Sequence, residues 1–445
     1  MTRQTPSTAP YRTILALGLP IIGGMLSQSL LNLVDAALVG RLGEAALAGV
    51  GAGSYANFVA ISLILGLSSG VQAMVARRKG QNRHQLAAEP VNWAILLALL
   101  VALPLSLLFI SLSPWLTGWL AEPTSAAIAR QYFDYRTAAM SAVALNLALR
   151  GWWNGSHRPA SYVRTLLAMH LLNVVLSYGL IFGRFGLPEM GAPGAGLGTA
   201  IALYVGCALN GVLVWRDARH AGFLRRLGNG YRPLRTLLAL SIPHSLQQLF
   251  MALGILILFW IVGLLGTAEQ AIAHVLINLA LFLILPAVGF GVASTSLVSH
   301  ALGAGQSERA YRWGWQVIIT ALGLIGLLSL PLLLIPELLL ALFLNNETLV
   351  DQASAPLRLT ALAICADTAA IVLAQSLLGA GANRLVLMIS TSVQWLLFLP
   401  LAWLVGPVLG FGLLGIWQLQ VLYRALSSLI YIRVWQQRRW AEICV

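Results

Sequence analysis

Apolar runs long enough to cross a bilayer recur along the whole chain of 445 residues. One transmembrane helix needs about 20 mainly apolar residues. Hydrophobic residues make up 59% of this chain and charged residues only 9%, whereas a soluble globular protein carries roughly a quarter charged residues. The pattern predicts an all-α polytopic membrane protein. It argues against a soluble enzyme, a disordered chain and a nucleic-acid-binding protein.

We predict twelve transmembrane helices in two six-helix lobes. An Arg- and Gly-rich cytoplasmic loop, 217–235, separates the N-terminal lobe (1–216) from the C-terminal lobe (236–445). The first span is too long for the apolar core of a signal peptide, so we expect no cleavable leader. The expected spans are 13–39, 47–76, 91–113, 126–150, 161–185, 194–216, 236–262, 270–299, 313–336, 352–379, 385–406 and 411–435.

The net charge of +13 raises the question of a nucleic-acid partner. Most of the 27 basic residues lie in the two termini and in the even-numbered loops, all on one side of the predicted membrane. Positive residues favour the cytoplasmic side, so both termini are predicted to be cytoplasmic. The basic loops then face anionic lipid headgroups, and no nucleic-acid partner is needed to explain the charge.

The two halves of the sequence resemble each other at a constant offset of 223 residues. Ala-Leu-Gly-Leu-Pro at 16–20 corresponds to Ala-Leu-Ser-Ile-Pro at 239–243, and Gly66 corresponds to Gly289. An even number of spans repeated once gives two halves with the same orientation. Such parallel repeats are typical of transporters that bind substrate between the halves and expose it to either side as the halves rock.

Two acidic residues, Asp35 and Asp367, lie inside apolar spans. A carboxylate at the centre of a lone transmembrane helix costs about 2.5–3.5 kcal/mol on insertion scales. It must therefore face protein or water, be paired, or be protonated, because burial favours the neutral form of a carboxyl group. A carboxyl group that titrates near neutral pH is suited to carrying a proton.

Asp35 shares one face of span 1 with Gln28 and Asn32, since positions three, four and seven residues apart align on a helix. This polar stripe is expected to line a cavity. The alternative is that Asp35 only packs the helices together.

Span 5 carries Asn173 and Ser177 one turn apart, and span 6 carries Thr199 at a similar depth. With Asp35 these residues are expected to form a small hydrogen-bonded ion-coupling site in the N-terminal lobe.

Asp367 lies near mid-membrane in span 10. A second ion or substrate site and a structural hydrogen bond are both open interpretations. The candidate neighbours in the C-terminal lobe are Gln248, Asn278 and Gln394. His274 shares a helix face with Asn278 and either lines a cavity or is buried in the core.

Pro20 lies inside span 1, where it removes a backbone hydrogen bond and favours a kink. Pro243 occupies the same place in the second half. Our hypothesis is that protonation of Asp35 alters its bonds to Asn173 and Thr199 and thereby biases a bend at Pro20.

No residue pattern in the chain indicates catalysis, a metal or a cofactor. Gly-rich segments at 49–53 and 194–198 do not sit in an α/β setting, and they are interpreted as close helix packing. An intramembrane enzyme is therefore the least favoured class.

Several segments together resemble the multidrug and toxic compound extrusion (MATE) family, with an N-terminal lobe similar to its DinF-like branch. The first is Val-Asp-Ala-Ala-Leu-Val-Gly-Arg-Leu-Gly-Glu-Ala-Ala-Leu-Ala-Gly-Val-Gly at 34–51. The others lie at 173–183, 271–275 and 291–305. The resemblance covers essentially the whole chain. It implies twelve helices in two lobes and cation-driven efflux of amphipathic, often cationic, drugs from a bacterial inner membrane, by a chain expected to act as a monomer.

Within this resemblance, Asp35 matches the ion-coupling acid of the family, and Asn173 and Thr199 match its usual partners. Asn146 is a further candidate match.

The chain also departs from the family pattern. Ser177 stands where the family often has Asp, and Met251 where some branches have Glu, while Asp367 matches the span 10 Asp of those branches. A lone carboxyl group with neutral partners favours H⁺ over Na⁺ as the coupling ion. The alternatives are a Na⁺-coupled drug antiporter and a flippase for a lipid-linked intermediate.

Overall fold

The computed structural model describes residues 10–120, 123–225, 231–341, 343 and 347–443. All regular secondary structure in these residues is helical, which confirms the predicted all-α class. The α-helices are α1 Pro10–Gly40, α2 Glu44–Gly80, α3 Glu89–Leu120, α4 Ala126–Ala138, α5 Met140–Gly155, α6 Pro159–Phe182, α7 Ala192–Ala218, α8 Arg232–Gly263, α9 Thr267–Gly303, α10 Ser307–Leu334, α11 Pro336–Leu340, α12 Glu347–Ala380, α13 Asn383–Thr391, α14 Leu399–Trp403 and α15 Gly412–Gln436.

Eleven helical segments in the described residues are long and apolar enough to cross a membrane. The remaining predicted span, 126–150, is divided at Ala139 into α4 and α5, which follow each other directly. At this point the Ala139 amide bonds to the Arg136 carbonyl oxygen at 3.2 Å, a tighter turn than the α-helical one. The predicted number of membrane passages therefore holds, and one passage is interrupted. The cytoplasmic location of both termini stays a prediction.

The eleventh predicted span is irregular. After α13 the backbone continues as π-helix over Ser392–Phe398, returns to α-helix in α14, and is again π-helix over Leu404–Val408. Pro400 and Pro407 lie in this segment. A proline has no N–H to donate and clashes with the preceding turn, which fits the local widening of the helix.

The sequence repeat is also a repeat of helices. Both α1 and α2 have counterparts, α8 and α9, that end at the same offset of 223 residues, and α9 also begins at it. The residues before α2 and α9 are Gly43 and Gly266, which have φ angles of +106° and +149°. Side chains rarely tolerate this conformation, so glycine starts the second helix of each half.

The described residues form two compact units. The first unit is Gly23–Leu249, and the second consists of the described residues of Met1–Ile22 and Phe250–Val445. Both α1 and α8 therefore contribute to each unit. The expected lobes, 1–216 and 236–445, divide the chain at the inter-lobe loop instead, and as transport units they stay a prediction.

Close glycine contacts explain the membership of these half-helices. In the first unit, the Gly66 amide on α2 donates to the Ser245 hydroxyl of α8 at 3.0 Å. In the second unit, a Cβ on Gly289 of α9 would lie 2.5 Å from the side chain of Ile22 on α1. These two contacts join equivalent positions of the repeat, so each half-helix packs on the second helix of the other half.

Candidate functional site

Asp35 lies on α1, partly buried and near the end of that helix. The Ser177 hydroxyl of α6 is within hydrogen-bonding reach of its carboxyl group, and the Arg136 guanidinium of α4 acts on it electrostatically. Its Oδ1 atom is buried and has no hydrogen-bond partner among the described residues. An unpaired buried acceptor costs about 1–3 kcal/mol, so this carboxyl group has a reason to bind a proton or a cation.

Three neutral side chains predicted to meet at this depth do so in the structure. Ser177 Oγ donates to Asn173 Oδ1 at 3.0 Å, and Asn173 Nδ2 donates to Thr199 Oγ1 at 2.9 Å. Thr199 Oγ1 in turn donates to the Ala195 carbonyl oxygen at 2.9 Å. All three side chains are buried. A continuous hydrogen-bonded chain therefore runs from Asp35 through α6 to α7.

Close packing of α6 and α7 places Ser177 in this chain. A Cβ on Gly198 would lie 2.9 Å from the Ser177 amide nitrogen, and one on Gly194 would lie 2.7 Å from the Leu180 carbonyl oxygen. Only glycine permits this approach. The interpretation of the Gly-rich segment 194–198 as helix packing is thereby confirmed.

The Ser177 hydroxyl has one proton to donate. It is given to Asn173 Oδ1 in the observed arrangement, yet the Asp35 carboxyl group lies within reach of the same hydroxyl. The two acceptors therefore compete for one donor. A change in the charge of Asp35 alters which acceptor is favoured, and this links the charge of α1 to the hydrogen bonds of α6 and α7.

The predicted polar stripe on α1 is also hydrogen-bonded. Gln28 Nε2 donates to Asn32 Oδ1 at 3.2 Å, and both side chains are exposed. The His170 ring of α6 lies between Gln28 Oε1, at 3.1 Å from Nε2, and Ser27 Oγ, at 2.7 Å from Nδ1. The sequence analysis did not include His170. Its position three residues before Asn173, on the same face of α6, was the available signal.

The structure does not place Asn146 with Asp35. Its amide Nδ2 donates to the Leu203 carbonyl oxygen at 3.2 Å, and its Oδ1 accepts from Asn210 Nδ2 at 3.5 Å. Leu203 lies one turn beyond Thr199 on α7, so Asn146 joins α5 to α7 beside the site.

Asp367 forms an ion pair with Arg424, and both side chains are largely buried. The predicted neighbours Gln248, Asn278 and Gln394 were the wrong partners. Arg424 lies inside the last predicted span, and two opposite charges within apolar spans are expected to pair. That signal was present in the sequence.

The ion pair joins α12 to α15. One turn after Arg424, the Ser428 hydroxyl donates to the Ala366 carbonyl oxygen and accepts from the Ala370 amide at 3.1 Å. Asp367 therefore lies within a well-bonded contact between two helices, and its charge is balanced by this chain.

The other candidates of the C-terminal lobe lie apart from this pair. Asn278 Nδ2 donates to the His274 carbonyl oxygen of its own helix at 2.9 Å. The His274 ring centre lies 6.3 Å from that of Phe259. The Gln394 side chain packs against Gly254 of α8, and Gln248 belongs to the first unit.

Pro20 lies within α1, which continues as one helix on both sides of it. The boundary between the two units follows two residues later, between Ile22 and Gly23. A bend at Pro20 that depends on Asp35 stays a prediction.

The sequence matches the MatE family over residues 20–179 and 243–404. The two matched segments begin at the same offset as the repeat. A probable multidrug resistance protein NorM of Bradyrhizobium diazoefficiens is 28% identical over 91% of this chain and 88% of its own length. A protein of the same description from Thermotoga maritima is 25% identical over 96% and 93% of the two chains.

Solved structures share the fold. An outward-facing multidrug resistance MATE family transporter superimposes with a TM-score of 0.90 over 100% of both chains at 19% identity. A MATE crystal structure in a straight conformation gives 0.88 over 96% of both chains at 20% identity. With its membrane-spanning helices and bacterial relatives, the protein is integral to the inner membrane, and it is a transporter and not an enzyme. The chain belongs to the MatE family, the multidrug and toxic compound extrusion transporters.

Proposed function

We propose that this transporter exports amphipathic, often cationic, drugs in exchange for H⁺, and that Asp35 is the group that carries the proton. The curated relatives are described as probable multidrug resistance proteins, which supports drugs as the substrate class. The buried Asp35 Oδ1 atom without a hydrogen-bond partner among the described residues is the observation that carries the proton assignment.

The shared proton of Ser177 supplies the coupling step. When Asp35 is ionised, its carboxylate is the stronger acceptor, and Ser177 turns toward it and leaves Asn173 Oδ1 without its donor. When Asp35 is protonated, Ser177 donates to Asn173 as observed at 3.0 Å. An unmade buried hydrogen bond costs about 1–3 kcal/mol, which is enough to shift a two-state equilibrium roughly 5- to 150-fold.

In this proposal the shift is expressed as a bend in α1. Asp35 and Pro20 lie on the same helix, and Pro20 lies just before the residue at which α1 passes from the second unit to the first. Because the proline lacks one backbone hydrogen bond, this is the place where α1 bends at least cost. Loss of proton-driven transport in a folded Pro20→Ala variant is expected, and unchanged transport would remove Pro20 from the mechanism.

Na⁺ coupling is the alternative that the site favours less. A metal cation needs several oxygen ligands, but the Asn173, Ser177 and Thr199 oxygens are already engaged in hydrogen bonds with one another. Asp35 is the carboxylate they surround. A proton requires one acceptor, and the unpartnered Oδ1 atom supplies it.

A lipid-linked-intermediate flippase is a further alternative. It would require a long basic cavity, whereas the arginines of this chain concentrate near helix ends and loops. We also propose that the chain works as a monomer.

The energetics are sufficient for efflux. Exchange of one H⁺ for one monovalent drug cation moves no net charge, so the pH gradient alone is the driving force. One pH unit corresponds to about 1.4 kcal/mol, or about a tenfold drug gradient.

The test is efflux of a fluorescent cation from proteoliposomes under an imposed pH gradient or an imposed Na⁺ gradient. The pH gradient is expected to drive the wild type, while Asp35→Asn is expected to fall to the rate of protein-free liposomes. Glu44→Gln, which removes an exposed acidic side chain from the start of α2, is the control and is expected to transport normally. Full activity in Asp35→Asn, or drive by Na⁺ alone, would contradict the proposal.

A further inference from the structure

An apolar crevice opens in the first unit beside the first half of α8. Its volume is about 470 Å³, within the range of roughly 300–1,000 Å³ typical of small-molecule sites. Val101 and Ile242 at its rim are 42% and 51% exposed. In a membrane protein such apolar surface faces lipid tails. The walls come from α2, α3, α5 and α8, and they include Leu67, Ala98, Val101, Ser241, Ile242 and Ser245.

Two arginines lie directly above this crevice along α8. Arg232 and Arg235 are in the first turn of the helix and are exposed. Arg235 is seven residues before Ile242, so both lie on the same helix face. A rise of about 1.5 Å per residue places Arg235 roughly 10 Å from Ile242 along the axis. In the described part of the chain no carboxylate forms an ion pair with either guanidinium.

We propose that the crevice is a binding site for an anionic phospholipid. The phosphate group binds Arg232 and Arg235, and one acyl chain lies in the crevice. Apolar walls open to the bilayer suit an acyl chain, and two unpaired guanidinium groups at the mouth suit a phosphate. The combination of the two features along one helix face selects a charged lipid over a neutral one.

The repeat supplies an internal comparison. At the equivalent place in the second unit, Phe290 of α9 corresponds to Leu67, and it is fully buried. Its ring atoms lie 2.5 and 2.7 Å from the place of a Cβ on Gly18 of α1. A protein side chain thus packs there against the first half of α1. In the first unit the smaller Leu67 leaves the space open beside Ser241, while Arg12 is the equivalent of Arg235.

Occupation of the crevice has a consequence for α8. Its first half is held on α2 by the bond from the Gly66 amide to Ser245 at 3.0 Å, and the buried Ser241 Oγ has no hydrogen-bond partner among the described residues. Ser241 and Ser245 also line the crevice. An acyl chain there covers the side of this contact that faces lipid, and it stabilises the packing of α8 on α2.

The binding test uses the full chain in phosphatidylcholine vesicles that contain trace phosphatidylglycerol, spin-labelled on one acyl chain. Electron paramagnetic resonance measures the fraction of label immobilised by the protein. Labelled phosphatidylcholine is the comparison lipid. Each arginine is expected to contribute about a fivefold preference for phosphatidylglycerol. Equal immobilisation of the two lipids would overturn the proposal.

Three variants locate the site. Arg232→Gln with Arg235→Gln is expected to remove the preference for phosphatidylglycerol, and Arg12→Gln, the matched control, is expected to leave it unchanged. Leu67→Phe fills the crevice as Phe290 does in the second unit, and it is expected to abolish the immobilised component. If Leu67→Phe fails to fold, as judged by thermal unfolding, Ala98→Leu narrows the same crevice from α3.

Two further outcomes would overturn the assignment. Persistence of the immobilised phosphatidylglycerol in a folded crevice-filling variant would place the lipid elsewhere. Displacement of the label by a transported cation would make the crevice a substrate entrance. These outcomes are independent of the coupling ion, because no gradient is imposed.

Discussion

The two acidic residues inside apolar spans have opposite environments. Asp35 is surrounded by neutral side chains and keeps one buried oxygen without a hydrogen-bond partner among the described residues. Asp367 is paired with Arg424 inside the contact between α12 and α15. A carboxyl group that lacks a fixed counter-charge is free to exchange an ion, whereas one that is paired by its own chain stabilises packing. The comparison assigns transport coupling to Asp35 and structure to Asp367.

The largest expected difference is in transport. Asp35→Asn is expected to abolish pH-driven efflux while leaving thermal unfolding in detergent unchanged or raised, because the amide removes an unpaired buried charge. The measurement is a melting curve on the same preparation used for efflux. A lowered melting temperature in Asp35→Asn would give Asp35 the structural role instead.

Asp367→Asn is expected to show the reverse pattern. It leaves the Arg424 guanidinium buried without a counter-charge, which costs about 3–5 kcal/mol in folding stability. Unfolding measurements should show this loss, and the double change Asp367→Leu with Arg424→Met should recover most of it. Transport per folded molecule is expected to persist. A stable but inactive Asp367→Asn variant would contradict the comparison.

Ser177→Asp sharpens the comparison by changing the ion. A second carboxylate beside Asp35 supplies ligands that suit a metal cation. Efflux driven by an imposed Na⁺ gradient is expected to appear in this variant, while the wild type responds to pH alone. Absence of any Na⁺ response in a folded, active variant would show that the carboxylate count does not select the ion here.

Ser177→Ala is expected to have the smallest effect. It removes the hydroxyl that Asp35 and Asn173 share, and the loss of one hydrogen bond to a charged group corresponds to about a tenfold change. The pH dependence of efflux should shift, since ionised Asp35 loses a donor and its neutral form becomes relatively favoured. Ser177→Thr keeps the hydroxyl and is the control. Identical pH profiles for the Ala and Thr variants would exclude the shared proton.

The N-terminal site was predictable because helix depth and helix face can be counted along a sequence. Asp35, Asn173, Ser177 and Thr199 were expected to meet, and the hydrogen bonds of Asn173 join them. The partner of Asp367 was not predicted, because depth alone does not say which helices are neighbours or how each is rotated. Arg424 becomes visible only once α12 and α15 are known to pack together.

Other features depend on tertiary packing and leave little local signal. The interruption at Ala139 falls in an ordinary Ala-rich helix sequence, with no Gly or Pro to mark it. The crossing of the first half of α8 onto α2 depends on the missing side chain of Gly66. That glycine was noticed as part of the repeat, but the residue it meets lies 179 positions away along the chain.

The divided membership of α1 has a consequence for biogenesis. Residues 10–22 emerge early from the ribosome, yet α9, on which they pack, follows about 250 residues later. The opening segment of the protein must wait in the bilayer with its packing surface uncovered until translation has passed the midpoint of the polypeptide. Completion of the first half therefore belongs to the last stages of assembly, and a ribosome that stalls midway leaves a helix whose permanent neighbour has not yet been made.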